Sequence, residues 1–219
     1  MSMNPELPEN CTLKIARYDE LTDAQYDELA SMMRASFAEY ASNDINMRGV
    51  TANGPDLRQE LTEHGETLFL LYQGDSIVAY AKGHIVDYAG DRFLACEGVA
   101  VHPEFRRGGI GKLLATHREE WSKEQGATFA LLGTAVKAKK AVAFHHRNGY
   151  KDWRYSHSWN RNYYSIFMRK DYGKPYPTLR RLAKLYVSWL LAHLTYSEKG
   201  SKRPMYYIMP VLKKLLRRG

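Results

Sequence analysis

Cysteine and long apolar runs are both scarce in this sequence. Cys11 and Cys96 are the only cysteines in 219 residues. Two cysteines this far apart make neither a disulfide framework nor a zinc-ligand spacing, so no metal is expected. Cys96 lies in an apolar stretch and is expected as a buried, inert thiol. No apolar run reaches the roughly 18 residues needed to cross a bilayer, so no spanning helix is expected. The opening Met1-Ser-Met-Asn-Pro-Glu-Leu-Pro-Glu-Asn10 has no basic start and no apolar core. No signal peptide is visible there, and a cytoplasmic location is the default expectation.

Acidic residues are scarce in one region only. Residues 173–219 hold 11 Lys/Arg against a single acid, Glu198, a net charge of +10. The 172 residues before them hold 21 basic and 23 acidic side chains, a net of −2. The basicity therefore belongs to the tail. With 44% hydrophobic residues the chain can bury one sizeable core and a small appendage.

The hydrophobic pattern divides that core into alternating element types. Thr12-Leu-Lys-Ile-Ala-Arg-Tyr18 alternates as a strand. Tyr26, Leu29, Met32, Met33 and Phe37 form the apolar stripe of a helix from Ala24 to Tyr40, with Thr22 or Asp23 as its cap. A short helix over 56–63 precedes Gly65. Two strands over 66–73 and 76–86 flank a Gly74-Asp75 turn. A strand from Phe93 to Val101 ends before Pro103, and Ile110, Leu113, Leu114 and Trp121 recur at helical spacing. A fifth strand over 126–136, a helix over 138–148 closed by Gly149, and strands over 153–159 and 163–169 complete the pattern.

Between the fourth strand and its helix stands Arg106-Arg107-Gly108-Gly109-Ile110-Gly111-Lys112. Glycines let a ligand approach backbone closely, a helix starting near Gly109 points unpaired N–H groups at the turn, and the basic residues add positive charge. That combination is a pyrophosphate cradle. It is not a Walker loop, because Leu113 stands where the hydroxyl residue is required, and its glycine spacing is not the dinucleotide fingerprint.

Arg106-x-x-Gly109-x-Gly111, preceded by Val99-Ala-Val-His-Pro-Glu-Phe105, resembles the acetyl-CoA motif of the GCN5-related N-acetyltransferase (GNAT) superfamily. The segment Ala138–Tyr150 is similar to a second family motif at Ala141, Phe144, Gly149 and Tyr150. It departs at Ala138, where the family usually has a cofactor-contacting Asn, and at His145, where it usually has the Tyr that protonates the thiolate. The resemblance covers about residues 12–172. It implies the mixed α/β GNAT fold, with a mostly antiparallel sheet flanked by helices. Residues 1–172 would form the acetyltransferase domain and 173–219 a basic helical extension.

The resemblance also implies acetyl-CoA as cosubstrate. Its pyrophosphate would lie on Arg106, Arg107, Gly108, Gly109, Ile110, Gly111 and Lys112, and its pantetheine on the backbone of Val99, Ala100 and Val101. Glu97, two residues before Val99, would share a face with Val99 and Val101. In an apolar strand its pKa would be raised, as suits a general base; the alternative is a Glu paired with a neighbouring Lys or Arg. His145 could donate the proton to the thiolate, or solvent could, or His145 could bind an acidic acceptor. His146 is expected at the surface. Tyr80, His84, His157, Trp159, Tyr163 and Tyr164 are candidates for acceptor contact or for core packing.

The partner implied is a small-molecule, glycan or peptide amine, with a non-catalytic acyl-CoA-binding module as the competing reading. In the tail, Thr178 to Tyr196 and Ile208 to Arg218 are amphipathic. Their basic flanks and Trp189 suit peripheral contact with the inner membrane surface over 178–218; docking on the domain or in a homodimer is the alternative. Nucleic acid is the weakest partner, since the tail carries charge without a recognition motif.

Overall fold

The computed structural model describes residues 7, 9–41, 45, 48–106, 108–157 and 163–195. Among them are seven strands and five α-helices in mixed order, the expected α/β class. Two compact units divide the chain after Leu131: Met1–Asn43 with Met47–Leu131, and Asp44–Asn46 with Leu132–Gly219.

In the first unit, β1 (Cys11–Arg17), β2 (Thr67–Gln73), β3 (Ser76–Tyr88) and β4 (Asp91–Val101) form an antiparallel ladder in that order. Helix α1 (Asp23–Ala41) starts at a capping box: Gln25 N–H donates to Thr22 Oγ1 at 3.3 Å, and Thr22 N–H donates to Gln25 Oε1 at 3.0 Å. Helix α2 (Gly54–His64) is capped by Asn53, which accepts from the Asp56 N–H. It ends at Gly65, whose φ of 61° is the left-handed conformation that favours glycine. Alternation on the strands supplies two apolar faces. Leu68, Leu70, Tyr80 and Ala100 pack with α1 and α2 residues Leu29, Met33, Leu57 and Leu61. On the opposite face Phe69, Leu71, Ala79 and Ala81 pack with Ile110 and Leu114 of α3 (Ile110–Glu124).

β5 (Phe129–Ala135) runs across the division between the units. The second unit holds α4 (Lys139–Arg147), the antiparallel pair β6 (Lys151–His157) and β7 (Tyr164–Asp171), and α5 (Thr178–Thr195). Helix α5 packs along β6. Ser188 Oγ accepts the Tyr155 N–H at 3.0 Å, Arg181 donates to Asp152 O at 3.2 Å, and Lys184 Nζ sits 4.0 Å from the centre of the Trp153 ring. Its other side is apolar and exposed: Leu179, Leu182, Tyr186, Val187, Trp189, Leu190 and Leu194. No described helix is long and apolar enough to cross a membrane. The second amphipathic stretch, 208–218, lies outside the described residues, as does Trp159.

Candidate active site

The cradle is built where β4 meets α3. Gly109 is the N-cap of α3 at φ 77°, with no side-chain cap. The Leu113 N–H is the one that bonds back to Gly109 O, at 3.0 Å, so the amides of Ile110, Gly111 and Lys112 precede the helical ladder. A Cβ placed on Gly108 would meet nothing within 4 Å, so space lies open before the helix end. Ile110 is buried with its side chain in the core, and Lys112 is exposed. Open approach, free amides and a helix end fit a pyrophosphate.

Arg106 is committed elsewhere. Its guanidinium donates to Ser36 O at 2.6 Å and Val101 O at 3.3 Å and stands 3.8 Å from Glu39 Oε1, which ties the cradle to α1. Arg107 lies outside the described residues. Val99, Ala100 and Val101 pair with Ala81, Tyr80 and Ala79 of β3; Val99 and Val101 pack on the α3 side of the sheet.

Glu97 departs from expectation in direction. Lys82 pairs with Gly98 and Gly83 with Cys96, so Glu97 is the extra residue of a β-bulge. The bulge breaks the two-residue alternation that would have placed Glu97 beside Val99. Glu97 instead acts electrostatically on His84, whose ring stacks on His64 at the end of α2, 5.7 Å centre to centre. Glu97 is exposed, not enclosed by apolar side chains. Arg118 holds the bulge in place: from α3 its Nη1 donates to Lys82 O at 2.9 Å and to Gly98 O at 2.8 Å.

Beneath the bulge is a buried polar cluster that sequence reasoning missed. Lys82, 2% exposed, donates to Glu60 Oε1 at 2.7 Å and lies 4.0 Å from Glu66 Oε1. Glu66, fully buried, stands 3.3 Å from His84 Nδ1, off line for a hydrogen bond, and neither of its oxygens has a hydrogen-bond donor. Tyr80 is enclosed in the core rather than lining an open surface. Burial, and then Glu60 and Glu66, push its hydroxyl far above the ordinary tyrosine range. A Cβ on Gly98 would lie 3.0 Å from that hydroxyl, so glycine makes room for it. The available signal was Lys82 itself, a charge directly after the apolar run Ile77-Val-Ala-Tyr-Ala81 in the same strand, which demands a buried partner.

The remaining candidates belong to the second unit. His145 is half-buried on α4, its ring edge-on to Phe144 and Tyr150 at 5.2 and 5.8 Å. His146 is exposed and pairs with Asp152 at 2.7 Å, the surface role expected. Tyr163 is buried, and Tyr164 is edge-on to His157 at 5.8 Å. No group of side chains that could hold a metal occurs among the described residues.

No curated protein matches the sequence. In three solved structures the fold recurs. A PaiA N-acetyltransferase from Thermoplasma acidophilum, in complex with coenzyme A, is 17% identical, with 74% of this chain and 99% of that one covered and a TM-score of 0.52. An acetyltransferase of the GNAT family from Streptococcus pneumoniae is 14% identical, covering 73% and 99%, with a TM-score of 0.54. An acetyltransferase from Thermus thermophilus is 19% identical, covering 73% and 97%, with a TM-score of 0.53. The model of the acetyltransferase (GNAT) family matches residues 26–150, more than half of the sequence and the whole of the cradle. This chain belongs to that family, the acetyl-CoA-dependent GNAT acetyltransferases.

Proposed function

We propose that the protein transfers an acetyl group directly from acetyl-CoA to the primary amine of a small molecule, a glycan or a peptide. The observation that carries this is the cradle: left-handed Gly109 opening α3, with three amides ahead of its first hydrogen bond, at the end of β4. Amides 110–112 and Lys112 hold the pyrophosphate, and the Val99–Val101 backbone orients the pantetheine. When bound, acetyl-CoA supplies an activated thioester. An amine has a reference pKa near 10.4 and must lose a proton before it can attack. Glu97, exposed on the bulge, takes that proton, and His145 returns one to the departing thiolate. The Glu97→Gln variant is expected to lower kcat about a hundredfold with acetyl-CoA binding unchanged, read as CoA release across a panel of amines. Tight acetyl-CoA binding without acceptor-dependent release, and no effect of this substitution, would instead identify a non-catalytic acyl-CoA-binding module.

A second element of the reading concerns α5, which begins the extension expected over 173–219. Its first turn has no acid and carries Arg180 and Arg181, so cations reinforce the positive helix end. Its apolar side faces outward, the arrangement of a helix lying on an anionic membrane. Leu182→Asp with Leu190→Asp is expected to weaken binding to phosphatidylglycerol vesicles at least about tenfold, from roughly 1 kcal/mol lost per leucine. A change in molecular mass with vesicle binding intact would mean that this side meets a second copy of the chain.

A further inference from the structure

Building on the acetyltransferase reading above, we infer that His84, oriented by the buried carboxylate of Glu66, receives the acceptor's proton from Glu97 and releases it to solvent. Glu66 immediately precedes β2 and is wholly inaccessible. Burying a carboxylate without hydrogen-bond donors costs several kcal/mol, and packing alone would favour an apolar residue there. Nor does Lys82 require it, since Glu60 already neutralises that cation at 2.7 Å. The closest polar partner of Glu66 is His84 Nδ1, itself buried, so the 19% exposure of the His84 side chain lies on the rest of the ring. The charge of a carboxylate 3.3 Å from Nδ1, without an aligned hydrogen bond, favours the tautomer of neutral imidazole with its proton on that nitrogen and leaves Nε2 as a proton acceptor. The bulge then brings Glu97 to the same side of the sheet, exposed to an incoming amine and within electrostatic reach of the ring.

The proton balance is simple. An N–H bond of the acceptor's ammonium breaks as the proton joins the Glu97 carboxylate. That O–H bond breaks as the proton joins His84 Nε2, and the imidazolium, held against Glu66, loses it to solvent at its exposed edge. Glu97 ends ionised and His84 neutral, as they began. Glu66 is a positioning residue, because it acts through His84.

The groups facing His84 are Glu66 ahead of β2, Lys82 on its own strand, His64 from α2, and Glu97 on β4, while Glu60 of α2 pairs with Lys82. Glu66 at Nδ1 raises the affinity of His84 for its proton, burial opposes this, and Glu97 adds to the rise. The relay therefore switches on as pH rises through a His84 pKa above the ordinary value of about 6.5. The same proton stabilises the fold. Its contribution is full below the unfolded pKa and is lost as pH climbs through the folded one.

The test compares pH profiles of kcat/KM for wild type, Glu66→Gln and His84→Gln. NMR titration of the His84 ring and calorimetry with acetyl-CoA accompany it. Glu66→Gln is expected to move both the kinetic limb and the ring titration to lower pH. His84→Gln is expected to remove that limb and lower kcat about a hundredfold, with acetyl-CoA binding unchanged. Superimposable profiles, or wild-type turnover in His84→Gln, overturn the relay alone. Wild type that binds acetyl-CoA but acetylates no amine overturns the acetyl-transfer reading, and the relay with it.

Discussion

Calorimetric titration of acetyl-CoA into the Gly109→Glu variant is expected to give no binding at concentrations that saturate the wild type. Two effects add. Gly109 holds φ at 77°, where an L-residue costs about 1–2 kcal/mol, so the free variant relaxes away from the cradle geometry and binding has to restore it. The new carboxylate also stands before the amides of residues 110–112, opposing an anion with an anion and weakening charge-assisted hydrogen bonds of about 1.5–3 kcal/mol each. Together these amount to roughly 3–5 kcal/mol, on the order of a thousandfold in Kd. Gly109→Ala separates the contributions. It carries the backbone strain without the charge and is expected to weaken binding by about tenfold. Equal affinity in all three proteins would mean that the cofactor's phosphates lie elsewhere.

The second large effect is on stability. Lys82→Met is expected to cost about 3–5 kcal/mol, because the methionine fills the space while Glu60 and Glu66 are left facing each other without their shared cation. For a chain of this size the midpoint of thermal unfolding would fall by on the order of 10 °C. Urea titration of Lys82→Met and of the double variant Lys82→Met, Glu66→Gln checks the cause. The second substitution should recover part of the loss, since groups in contact couple by about 0.5–3 kcal/mol. A Lys82→Met protein as stable as the wild type would show that the cluster is open to water.

The features legible in the sequence were those fixed locally. Gly109 and Gly65 both take positive φ where the chain leaves one element for another, and Thr22 caps α1 with Gln25 three residues on. The stripe Tyr26, Leu29, Met33 meets Leu68 and Leu70 as period alone required. The orientation of Glu97 was not legible. Counting by twos from Val99 is sound on a regular strand, and the one local hint of an extra residue within 93–101 is Gly98, an isolated strand glycine. What fixes it is Arg118, twenty residues away from Gly98, whose guanidinium takes the two carbonyls flanking the bulge. Lys82 signalled a buried partner but not which one. Glu60 is 22 residues earlier, and only the fold brings it within reach. Arg106 matched its motif, yet the structure spends its guanidinium on α1, a tertiary contact that no six-residue pattern contains.

The bulge also makes β4 a strand that is out of phase with itself. Against β3, Ala95 pairs opposite His84, and Gly98 opposite Lys82. Odd positions therefore face α2 on one side of Glu97 and even positions face it on the other. Deleting Glu97 would restore a regular ladder without rotating either half. The strand would keep its core contacts and lose only the outward step on which the carboxylate stands. One inserted residue thus separates a strand that packs from a strand that also carries an ionisable group to its surface, with the pairing on both sides left intact.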